Sequence, residues 1–297
     1  MTRSKPRIAA LLAAWNGMTW LPAQLDSILG QEEVAVTVTV FVSVDQSTDG
    51  TEDWLGEQAA GDSRLVLLPG GRFGSAALNF YRLIRDVDFA AFDFVSLADQ
   101  DDVWLAGKLR RAVDWLERRD ADGYSGNVIA FWPDGREMPV DKAQPQVAAD
   151  FVFEAAGPGC TYVLRNRLAV ALQVFLDAQV TPGGGVFAHD WLIYAFARAR
   201  GFRWMIDSQP HMRYRQHASN QTGVNAGLRA FIKRATMVGS GWAFEQAAIV
   251  ARVVGTDALP PISAWLGGGR RGLIRLSLHA RQCRRRRRDQ LLFFASC

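Results

Sequence analysis

Three carboxylates stand close together directly after an apolar, strand-like segment. Asp99, Asp101 and Asp102 follow the apolar run of residues 94–98. Carboxylates this close raise each other's pKa, and a bound divalent cation relieves the repulsion. Oxygen ligands suit a hard ion such as Mg²⁺ or Mn²⁺, which usually shares its coordination shell with substrate phosphates. The alternative is a solvated acidic loop that caps the next helix, since Asp favours helix N-termini.

Polar or aromatic residues also follow the first two predicted strands. Trp15 and Asn16 close the apolar run of residues 8–15, and Asp45 follows the β-branched run of residues 34–44. In open α/β sheets, ligands bind outside the carboxyl ends of the strands. We therefore expect these residues and the Asp99 cluster to form one active site.

The first half of the chain alternates strand-like and helix-like segments. Strand patterns occupy residues 8–15, 34–44, 64–68 and 92–98, and helical patterns occupy residues 20–29, 51–58, 76–85 and 109–116. Such alternation predicts βαβ units and an α/β fold with a mainly parallel sheet flanked by helices. Residues 123–150 are rich in turn residues and are predicted as a surface excursion that would suit a β-hairpin. Helical patterns return at residues 167–178 and 192–199.

Composition is typical of a soluble globular protein rather than of a disulfide scaffold. The 297 residues are 49% hydrophobic and 22% charged, enough for one large domain and an appendage. The three cysteines are an odd number without a CxxC pair, which predicts free thiols in a reducing compartment. The N-terminal apolar run is too short for a signal peptide, and no uninterrupted apolar segment is long enough to predict a transmembrane helix.

Charge divides the chain into an acidic body and a basic C-terminal part. Residues 228–297 carry 13 Lys/Arg against 3 Asp/Glu, while residues 1–227 carry 21 against 27. We predict a catalytic domain over residues 1–225 and a helical, basic extension over residues 226–297. Basic helices with bulky apolar residues are typical of binding to anionic membrane surfaces. A solvated arginine tail is the alternative, and nucleic-acid binding is not expected because the acidic body opposes it.

Several short motifs recur in a recognisable order. They are WNG at residues 15–17, QLDSILGQ at 24–31, VSVDQSTDGT at 42–51, Asn79-Phe80, LADQDDVW at 97–104 with Lys108, HDW at 189–191 and YRQHASNQTG at 214–223. In this combination the chain resembles glycosyltransferase family 2, most closely its rhamnosyltransferase-like members that build bacterial surface polysaccharides. The resemblance implies a GT-A (Rossmann-like) fold with the C-terminal extension appended.

The resemblance implies a nucleotide-sugar site made of eight residues: Trp15, Asn16, Asp45, Asn79, Asp99, Asp102, Trp104 and Arg215. Asp45 would accept the imide N–H of uracil or thymine, and a turn role is its alternative. Trp15 would stack on the base, with ordinary packing as the alternative. Asp99 would contact the ribose or the metal, and Asp102 would orient the sugar or complete the metal shell. Arg215 would bind the diphosphate through its fork of donors.

The metal and the catalytic base are also implied by the resemblance. Asp101 and His217 would hold Mn²⁺ or Mg²⁺ on the two phosphates, where the ion assists departure of the nucleoside diphosphate. Asp190 would act as the general base that removes the acceptor's proton, and helix capping is its alternative. His189 is expected to position its neighbours or pack rather than to act as a second base.

The expected protein is an inverting, metal-dependent glycosyltransferase that uses dTDP-L-rhamnose. Its acceptor would be a saccharide or lipid-linked saccharide, and the enzyme would be cytoplasmic and peripheral at the inner membrane face. Val44 replaces a second aspartate that many relatives carry, and Ala14 replaces a common Ser or Thr, so the nucleotide preference stays open. The alternatives are a UDP-hexose or UDP-N-acetylhexosamine donor, or a non-catalytic binding relative.

Overall fold

A seven-stranded sheet forms the centre of the protein in a computed structural model that describes residues 4–34, 36–217 and 241–297. The strands of this sheet are β1 (Arg7–Ala14), β2 (Thr37–Val44), β3 (Leu65–Leu67), β4 (Phe94–Asp99), β6 (Gly123–Gly126), β9 (Val163–Arg165) and β10 (Trp204–Asp207). Their order is β10-β6-β9-β4-β1-β2-β3. Strand β9 runs antiparallel to β4 and β6, whereas the other pairings are parallel. The predicted mainly parallel α/β sheet is therefore confirmed.

A second, smaller sheet lies beside the first. It contains β5 (Val103–Trp104), β7 (Val128–Phe131), β8 (Glu137–Val140) and β11 (Met212–Arg215), in the order β5-β11-β7-β8. Strands β7 and β8 form the hairpin that the turn-rich sequence suggested. Strand β5 directly follows the carboxylate loop and pairs with β11. The small sheet thus ties that loop to residues more than a hundred positions later.

Helices cover the sheets and build the C-terminal part. In the first 217 residues they are α1 (Leu21–Leu29), α2 (Thr51–Gly61), α3 (Ala76–Asp86), α4 (Lys108–Arg118), α5 (Asp150–Phe153), α6 (Asn166–Asp177) and α7 (His189–Ala199). Beyond residue 240 they are α8 (Trp242–Val253), α9 (Ile262–Leu266), α10 (Gly269–Leu278), α11 (Ala280–Cys283) and α12 (Arg287–Ser296). Short 3₁₀ turns occupy Gly30–Val34, Gly159–Thr161 and Pro182–Gly185. Among the described residues, no helix has the length and apolarity needed to cross a bilayer.

The side chains of β1 divide between the two faces of the central sheet. Successive residues of a strand point to opposite faces. Ile8 and Leu12 belong to one hydrophobic cluster with α1 and α4, and Leu11 belongs to the other with α3, α6 and α7. Because both faces are covered, the strand is a continuous apolar run, as buried parallel strands are.

The prediction of a surface excursion from residue 123 is wrong at its start. Strand β6 is fully buried between β10 and β9. Its sequence, Gly-Tyr-Ser-Gly, has no apolar periodicity to reveal a core strand. The reason for Gly123 lies elsewhere in the chain, because the ring of Trp204 occupies the space that a Cβ would need. The strand is therefore defined by a partner 81 positions away and not by its own side chains.

The described C-terminal helices pack onto the body. Val250, Trp265 and Leu276 share one hydrophobic cluster with Phe153, and the Phe153 and Phe293 rings meet edge to face at 5.2 Å. The alternative of a merely solvated tail is therefore wrong for these helices. The proposed boundary at residues 225–226, the end of the YRQHASNQTG motif and the start of the predicted helix at residue 228 lie outside the described residues. The division into two domains stays a prediction.

Candidate active site

A cavity of about 1720 Å³ opens at the carboxyl edge of the central sheet. Registers between neighbouring strands place the ends of β1, β2 and β4 side by side, with Ala14 opposite Val44 and Ala13 opposite Asp99. Eight of the predicted site residues line this cavity: Trp15, Asn16, Asp45, Asn79, Asp99, Asp101, Asp190 and His217. The sequence-based expectation of one site at the strand ends thus matches the geometry.

Trp15 stands at the mouth of the cavity, held by its backbone. The Trp15 N–H donates to Oε1 of Gln100 at 2.7 Å, and its carbonyl accepts from Nε2 of Gln100 at 2.8 Å. Its own side chain is 55% exposed, so it does not serve as core packing. Gly17 is required beside this pair, because a Cβ there would collide with the Gln100 amide. The loop leaves the indole face free for a planar ligand group.

Asn16 and Asp45 organise the loops on the nucleotide side. Oδ1 of Asn16 accepts from the Thr48 N–H at 2.8 Å, and the Asn16 N–H donates to Oγ of Ser47 at 3.0 Å. The carboxylate of Asp45 accepts from the N–H groups of Phe73 at 2.8 Å and Gly74 at 2.7 Å. Oδ1 of Asp45 also accepts from the Gln46 N–H at 2.9 Å, so the turn role considered for Asp45 is present as well. Oδ1 thus accepts two hydrogen bonds and Oδ2 accepts one, so the second lone pair of Oδ2 remains available to a ligand.

Asn79 fastens α3 to the sheet edge beside these loops. Its Nδ2 donates to the carbonyls of Ala14 at 3.3 Å and Ser43 at 3.0 Å, which close β1 and β2. Oδ1 of Asn79 is buried and has no hydrogen-bond partner among the described residues. A polar atom in this position at a cavity wall is available to a ligand donor, because buried acceptors rarely stay unpaired.

The carboxylates after β4 point in different directions. Asp99 and Asp101 line the cavity, whereas Asp102 is fully buried and its Oδ1 accepts from the Arg215 N–H at 3.1 Å. Burial and the neighbouring charges of Asp101 and Asp190 raise the pKa of Asp99 to about 7. A cation in the cavity would favour the ionised form and lower this pKa.

Asp101 is paired with His217, from beyond the end of β11. Nε2 of His217 lies 2.7 Å from Oδ2 of Asp101, and the indole of Trp20 stacks on the imidazole with 4.1 Å between ring centroids. Arg215 supports the same loop, since its Nε donates to the carbonyl of Asp101 at 2.8 Å and its guanidinium lies over Phe131. These contacts of Arg215 position Asp101.

Three predicted ligand-binding residues do not line the cavity: Arg215, which instead supports Asp101, and Asp102 and Trp104. Asp102 and Trp104 are buried to 0% and 3% exposure and do not line the cavity. Trp104 instead covers the ammonium of Lys108, whose Nζ lies 3.6 Å from the ring centroid. The alternation along the short strand β5 explains the inward direction of Trp104, because neighbouring residues of a strand point to opposite faces. Both residues form a layer that supports the cavity floor.

Cys160 and Lys108 belong to this buried layer, and sequence reasoning gave neither a site role. Ligand atoms of Asp99, Asp102 and Cys160 lie within 4.8 Å of one another. Burial lowers the pKa of Lys108 to about 7, while Asp102 and Cys160 favour its charged form. Burial also raises the pKa of the Asp102 carboxyl and of the Cys160 thiol, which disfavours their anionic, metal-binding forms. A metal that must also reach donor phosphates fits the cavity side, at Asp101, better than the buried thiol.

The donor set on the cavity side fits a hard divalent ion. Neighbouring oxygen ligands of an octahedral Mg²⁺ or Mn²⁺ lie about 3 Å apart, given metal–oxygen distances near 2.1 Å. The 2.7 Å between Oδ2 of Asp101 and Nε2 of His217 is close to this spacing. The raised pKa of Asp99 indicates a third carboxylate whose ionised form lacks a counterion. These residues therefore suit the predicted ion, with remaining positions left for phosphate oxygens and water.

Asp190 lies at the N-terminal end of α7 and faces the same cavity. Its Oδ1 accepts from the Trp191 N–H at 2.7 Å, so local helix stabilisation is one of its roles. Burial raises its pKa to about 6, and Lys142 opposes the shift. A carboxylate with a pKa in this range is suited to accept a proton near neutral pH.

His189 precedes Asp190 and is held as a neutral, packed side chain. It stacks on Phe80 at 4.1 Å between ring centroids, and burial lowers its pKa to about 3. A Cβ at Gly159 would come within 2.5 Å of Nε2 of His189 and 3.1 Å of Cβ of Asp190. Gly159 therefore permits the close approach that sets Asp190 in the cavity. The loop before β9 had no catalytic signal in the sequence.

The far wall of the cavity is basic, and sequence reasoning did not place it there. Lys142, Arg284, Arg286 and Arg288 line the same cavity as Asp190. The sequence pattern of the arginine run predicts a membrane-binding tail. Its approach to the catalytic centre depends on long-range packing, which no local pattern in the run indicates.

Comparison with known proteins places the chain in a family that agrees with the fold. The sequence pattern of the family described as "Glycosyltransferase like family 2" matches residues 6–138. The dTDP-rhamnosyl transferase RfbG of Shigella flexneri is 39% identical over 94% of this chain and 96% of its own length. The putative teichuronic acid biosynthesis glycosyltransferase TuaG of Bacillus subtilis (strain 168) is 26% identical over 61% of this chain and 66% of its own.

Solved structures share the architecture at low sequence identity. S. aureus TarS residues 1–349 in complex with UDP-GlcNAc has a TM-score of 0.54 and 14% identity, covering 96% of this chain and 83% of TarS. The mannosyltransferase PcManGT from Pyrobaculum calidifontis, in complex with GDP-Man and Mn²⁺, has a TM-score of 0.51 and 17% identity, covering 99% of this chain and 86% of its own. The central sheet and its flanking helices thus have the GT-A fold. Within that fold class, the chain belongs to glycosyltransferase family 2.

Proposed function

We propose that this glycosyltransferase transfers L-rhamnose from dTDP-rhamnose to a saccharide or lipid-linked saccharide during cell-surface polysaccharide synthesis. The observation that carries the proposal is the 39% identity to the dTDP-rhamnosyl transferase RfbG over nearly the whole of both chains. The site residues are compatible with such a donor, because aromatic, carboxylate and metal-ligating groups lie in one cavity. We further propose that the enzyme works in the cytoplasm, peripheral to the inner membrane face.

The nucleotide would lie over the ends of β1 and β2. Trp15 offers an exposed indole for stacking, and Asp45 offers Oδ2 of its carboxylate to the imide N–H of thymine. Asn16 and Asn79 fix the two loops that carry these residues. A cytosine ring would present an acceptor to Asp45, and facing acceptors leave a buried group unpaired. The arrangement therefore favours thymine or uracil.

The diphosphate would lie beside the Asp99–Asp101 loop. Asp101, His217 and Asp99 would hold Mn²⁺ or Mg²⁺ there. When bound, the ion neutralises charge on the departing nucleoside diphosphate. Trp20 keeps the imidazole of His217 in place by stacking, and Arg215 fixes the main chain of Asp101. This support positions the two ligands before substrate binds.

Asp190 would remove the proton from the acceptor hydroxyl as its oxygen attacks the anomeric carbon. Its pKa of about 6 leaves it ionised at neutral pH. His189 cannot share the task, because its pKa of about 3 reflects an imidazole held neutral among apolar neighbours. A single base on the acceptor side supports direct displacement, which inverts the anomeric centre.

A UDP-sugar donor is the second candidate. It is favoured by the structural similarity to TarS in complex with UDP-GlcNAc. Uracil and thymine present the same imide to Asp45, so the base contact alone does not discriminate between them. A non-catalytic relative is the third candidate, and the joint presence of Asp101 and Asp190 in the cavity argues against it.

The test is a panel of nucleotide sugars with purified protein and Mn²⁺ or Mg²⁺. We expect dTDP-rhamnose to give the largest thermal shift and to be consumed when a saccharide acceptor is added. Product analysis by NMR should give the anomeric configuration opposite to that of the donor. Preferred turnover of a UDP-sugar would contradict the proposed donor, and binding without hydrolysis or transfer would contradict catalysis.

A further inference from the structure

The arginines of residues 284–288 have different environments. Arg285 is buried, whereas Arg284, Arg286 and Arg288 line the cavity and, with Lys142, form its basic wall. Nη2 of Arg285 donates to the carbonyl of Ala155 at 2.5 Å, and its Nε lies 3.4 Å from Oε1 of Glu154. Its neighbours Arg286 and Arg288 line the cavity and Arg287 does not, although Arg287 and Arg288 are both exposed. The anchored Arg285 thus fixes the following side chains at defined positions along the wall.

Arg284, next to the buried Arg285, is also held by contacts with the protein. Its Nη1 donates to the carbonyl of Phe153 at 2.7 Å, and its Nε lies 4.0 Å from Oε2 of Glu154. The Arg286 Nη2 donates to the carbonyl of Asp141 at 3.3 Å, which leaves further donors of its guanidinium unused. The wall therefore combines fixed arginines with donors that are available to a ligand.

The charge on this wall is only partly balanced. Three carboxylates share this side of the cavity: Asp141, Glu154 and Asp289. The Asp141 carboxylate accepts from Asn127, Ala143 and Gln144, while Glu154 is occupied by Arg284 and Arg285.

The remaining cations on the wall have no close counterion. Lys142, Arg286 and Arg288 have no carboxylate within 4.0 Å in the part of the chain that the structure describes. Burial also lowers the pKa of Lys142, with Glu154 and Asp289 opposing the shift at longer range. An anion bound here would compensate the desolvated charge.

The wall shares its cavity with the proposed base, since Asp190, Lys142, Arg286 and Arg288 all line it. The loop that leads into β9 lies beside both Asp190 and Lys142. A Cβ at Gly159 would be 3.1 Å from Cβ of Asp190, and a Cβ at Gly157 would be 3.6 Å from Cβ of Lys142. A substrate whose hydroxyl contacts Asp190 can therefore also reach Lys142 in the same cavity.

Apolar side chains adjoin the basic wall on α12. Leu292 lines the cavity, and Leu291 and Phe294 on the same helix are 72% and 55% exposed. Basic and apolar groups on one helix match a molecule in which a phosphate connects a sugar to a hydrocarbon. In such a molecule the charged phosphate adjoins the hydrocarbon, just as the basic wall adjoins the apolar side chains of α12.

We propose that Lys142, Arg286 and Arg288 bind the phosphate linkage of a lipid-linked acceptor, with the hydrocarbon lying along α12. This inference rests on the proposed transferase function and names the acceptor class. Guanidinium groups suit phosphate because their donors match its oxygens bidentately. The acceptor would then be oriented by its anionic linkage while its sugar hydroxyl reaches Asp190.

The test uses farnesyl diphosphate as the probe and calorimetry as the measurement. The donor site is first saturated with metal and the nucleoside diphosphate that binds best, so that the probe cannot enter there. Wild-type protein should bind farnesyl diphosphate and bind farnesol much more weakly. Arg288→Ala and Arg286→Ala/Arg288→Ala should weaken probe binding about tenfold or more, since charge-assisted hydrogen bonds are lost.

Arg287→Ala is the matched control, because it removes the same charge from the neighbouring position outside the cavity. We expect it to change probe affinity less than twofold, within the range of weak surface electrostatics at about 0.4 kcal/mol. Equal losses in Arg287→Ala and Arg288→Ala would overturn the cavity site and indicate a diffuse basic surface. Equal binding of farnesol would overturn the phosphate contact.

Two further measurements separate the other possible sources of anion binding. Loss of nucleoside diphosphate affinity in Arg286→Ala/Arg288→Ala would assign the arginines to the donor and overturn the proposal. Binding to phosphatidylglycerol vesicles that Arg288→Ala weakens and Arg287→Ala does not, without any effect on the diphosphate probe, would assign the wall to a membrane headgroup. Failure of the rhamnosyl donor test would not alter these results, since the probe carries no sugar or nucleotide.

Discussion

Nε2 of His217 lies 2.7 Å from Oδ2 of Asp101, although 116 positions separate the two residues in the chain. The pairing of β5 with β11 brings them together, and stacking of Trp20 on the imidazole holds the ring in place. Two potential ligands therefore stand at metal-ligand spacing in a cavity that also contains Asp99. Their separation in sequence explains why only the tertiary structure joins them.

Asp101→Asn should abolish the metal dependence of nucleotide-sugar binding. The amide keeps the volume of the carboxylate but removes its charge, so the ion loses its anionic ligand beside His217. We expect the transfer rate to fall about 100-fold or more, typical of losing one transition-state electrostatic contact. Calorimetry with and without Mn²⁺, together with a transfer assay, gives both readouts. Asp53→Asn, on the exposed face of α2, is the control, and normal turnover of Asp101→Asn would remove Asp101 from the site.

Asp190→Asn should separate catalysis from donor binding. The proton acceptor is needed only while the acceptor oxygen attacks, so donor affinity should stay within about twofold, whereas the transfer rate should fall by a factor of about 10² to 10⁴. Donor binding is measured by calorimetry and transfer by product formation. Asp177→Asn at the end of α6 serves as the charge-matched control. A large loss of donor affinity with little loss of rate would instead assign Asp190 to helix stabilisation.

The same substitution should stabilise the metal-free protein at alkaline pH. Burial raises the folded-state pKa of Asp190 to about 6 from an ordinary value of 3.8. A raised carboxyl pKa means that ionisation opposes folding, so the penalty is absent below the unfolded pKa and complete above the folded pKa. Asp190→Asn should therefore raise the free energy of unfolding by up to about 3 kcal/mol near pH 8.

The difference between wild type and Asp190→Asn should shrink as pH falls from about 6 to about 4. Thermal unfolding with EDTA across this range provides the measurement. A stabilisation that does not depend on pH would contradict the raised pKa and indicate a packing effect.

Gly159→Ala should lower the transfer rate without weakening donor binding. The new Cβ would press on Nε2 of His189 and Cβ of Asp190, displacing the start of α7. Misplacing a catalytic group by about 1 Å can cost about 100-fold in rate. Gly56→Ala is the control, because a Cβ at that helical position meets no atom within 4 Å. Wild-type kinetics in Gly159→Ala would show that the close approach is not required for catalysis.

Arg285→Ala should destabilise the protein far more than Arg287→Ala. Arg285 is buried and lies near Asp150 and Glu154, whereas Arg287 is exposed. Removing one partner of a buried ion pair typically costs about 3–5 kcal/mol, and Arg198 remains beside Asp150, so we expect about 3 kcal/mol. Chemical denaturation measures the difference. Equal stabilities would mean that α12 is not anchored through Arg285.

Much of the fold follows from local patterns in the sequence. Burial requires apolar side chains at the period of the helix or strand, so the apolar pattern indicates which faces are buried. The apolar run of β1, the alternation of β2 and the amphipathic spacing of α3 are examples. The strand ends then place Trp15 and Asp45 at one edge of the sheet. Such information is local, and it was sufficient for the α/β class and the position of the cavity.

Other features depend on contacts between distant residues. Gly123 looks like a turn residue, yet it belongs to a buried strand because Trp204 fills the space beside it. Trp104 and Asp102 look like ligand contacts within their motif, yet they point into the interior, where Trp104 packs over Lys108. Neither the burial of Gly123 nor the inward direction of Trp104 and Asp102 can be predicted from neighbouring residues, since both depend on contacts outside the local motif.

The arginine run shows most clearly which features cannot be predicted from local sequence patterns. Its charge and its apolar neighbours are properties of the sequence, and they indicated an anionic partner. Which of the arginines line the cavity depends on the burial of Arg285 against Glu154, 131 positions earlier. With Arg285 anchored, Arg286 and Arg288 line the same cavity as Asp190, and Arg287 does not. The sequence by itself therefore determined the kinds of chemistry present, whereas tertiary packing decided which residues share one cavity, because close packing depends on the shapes of all neighbours at once.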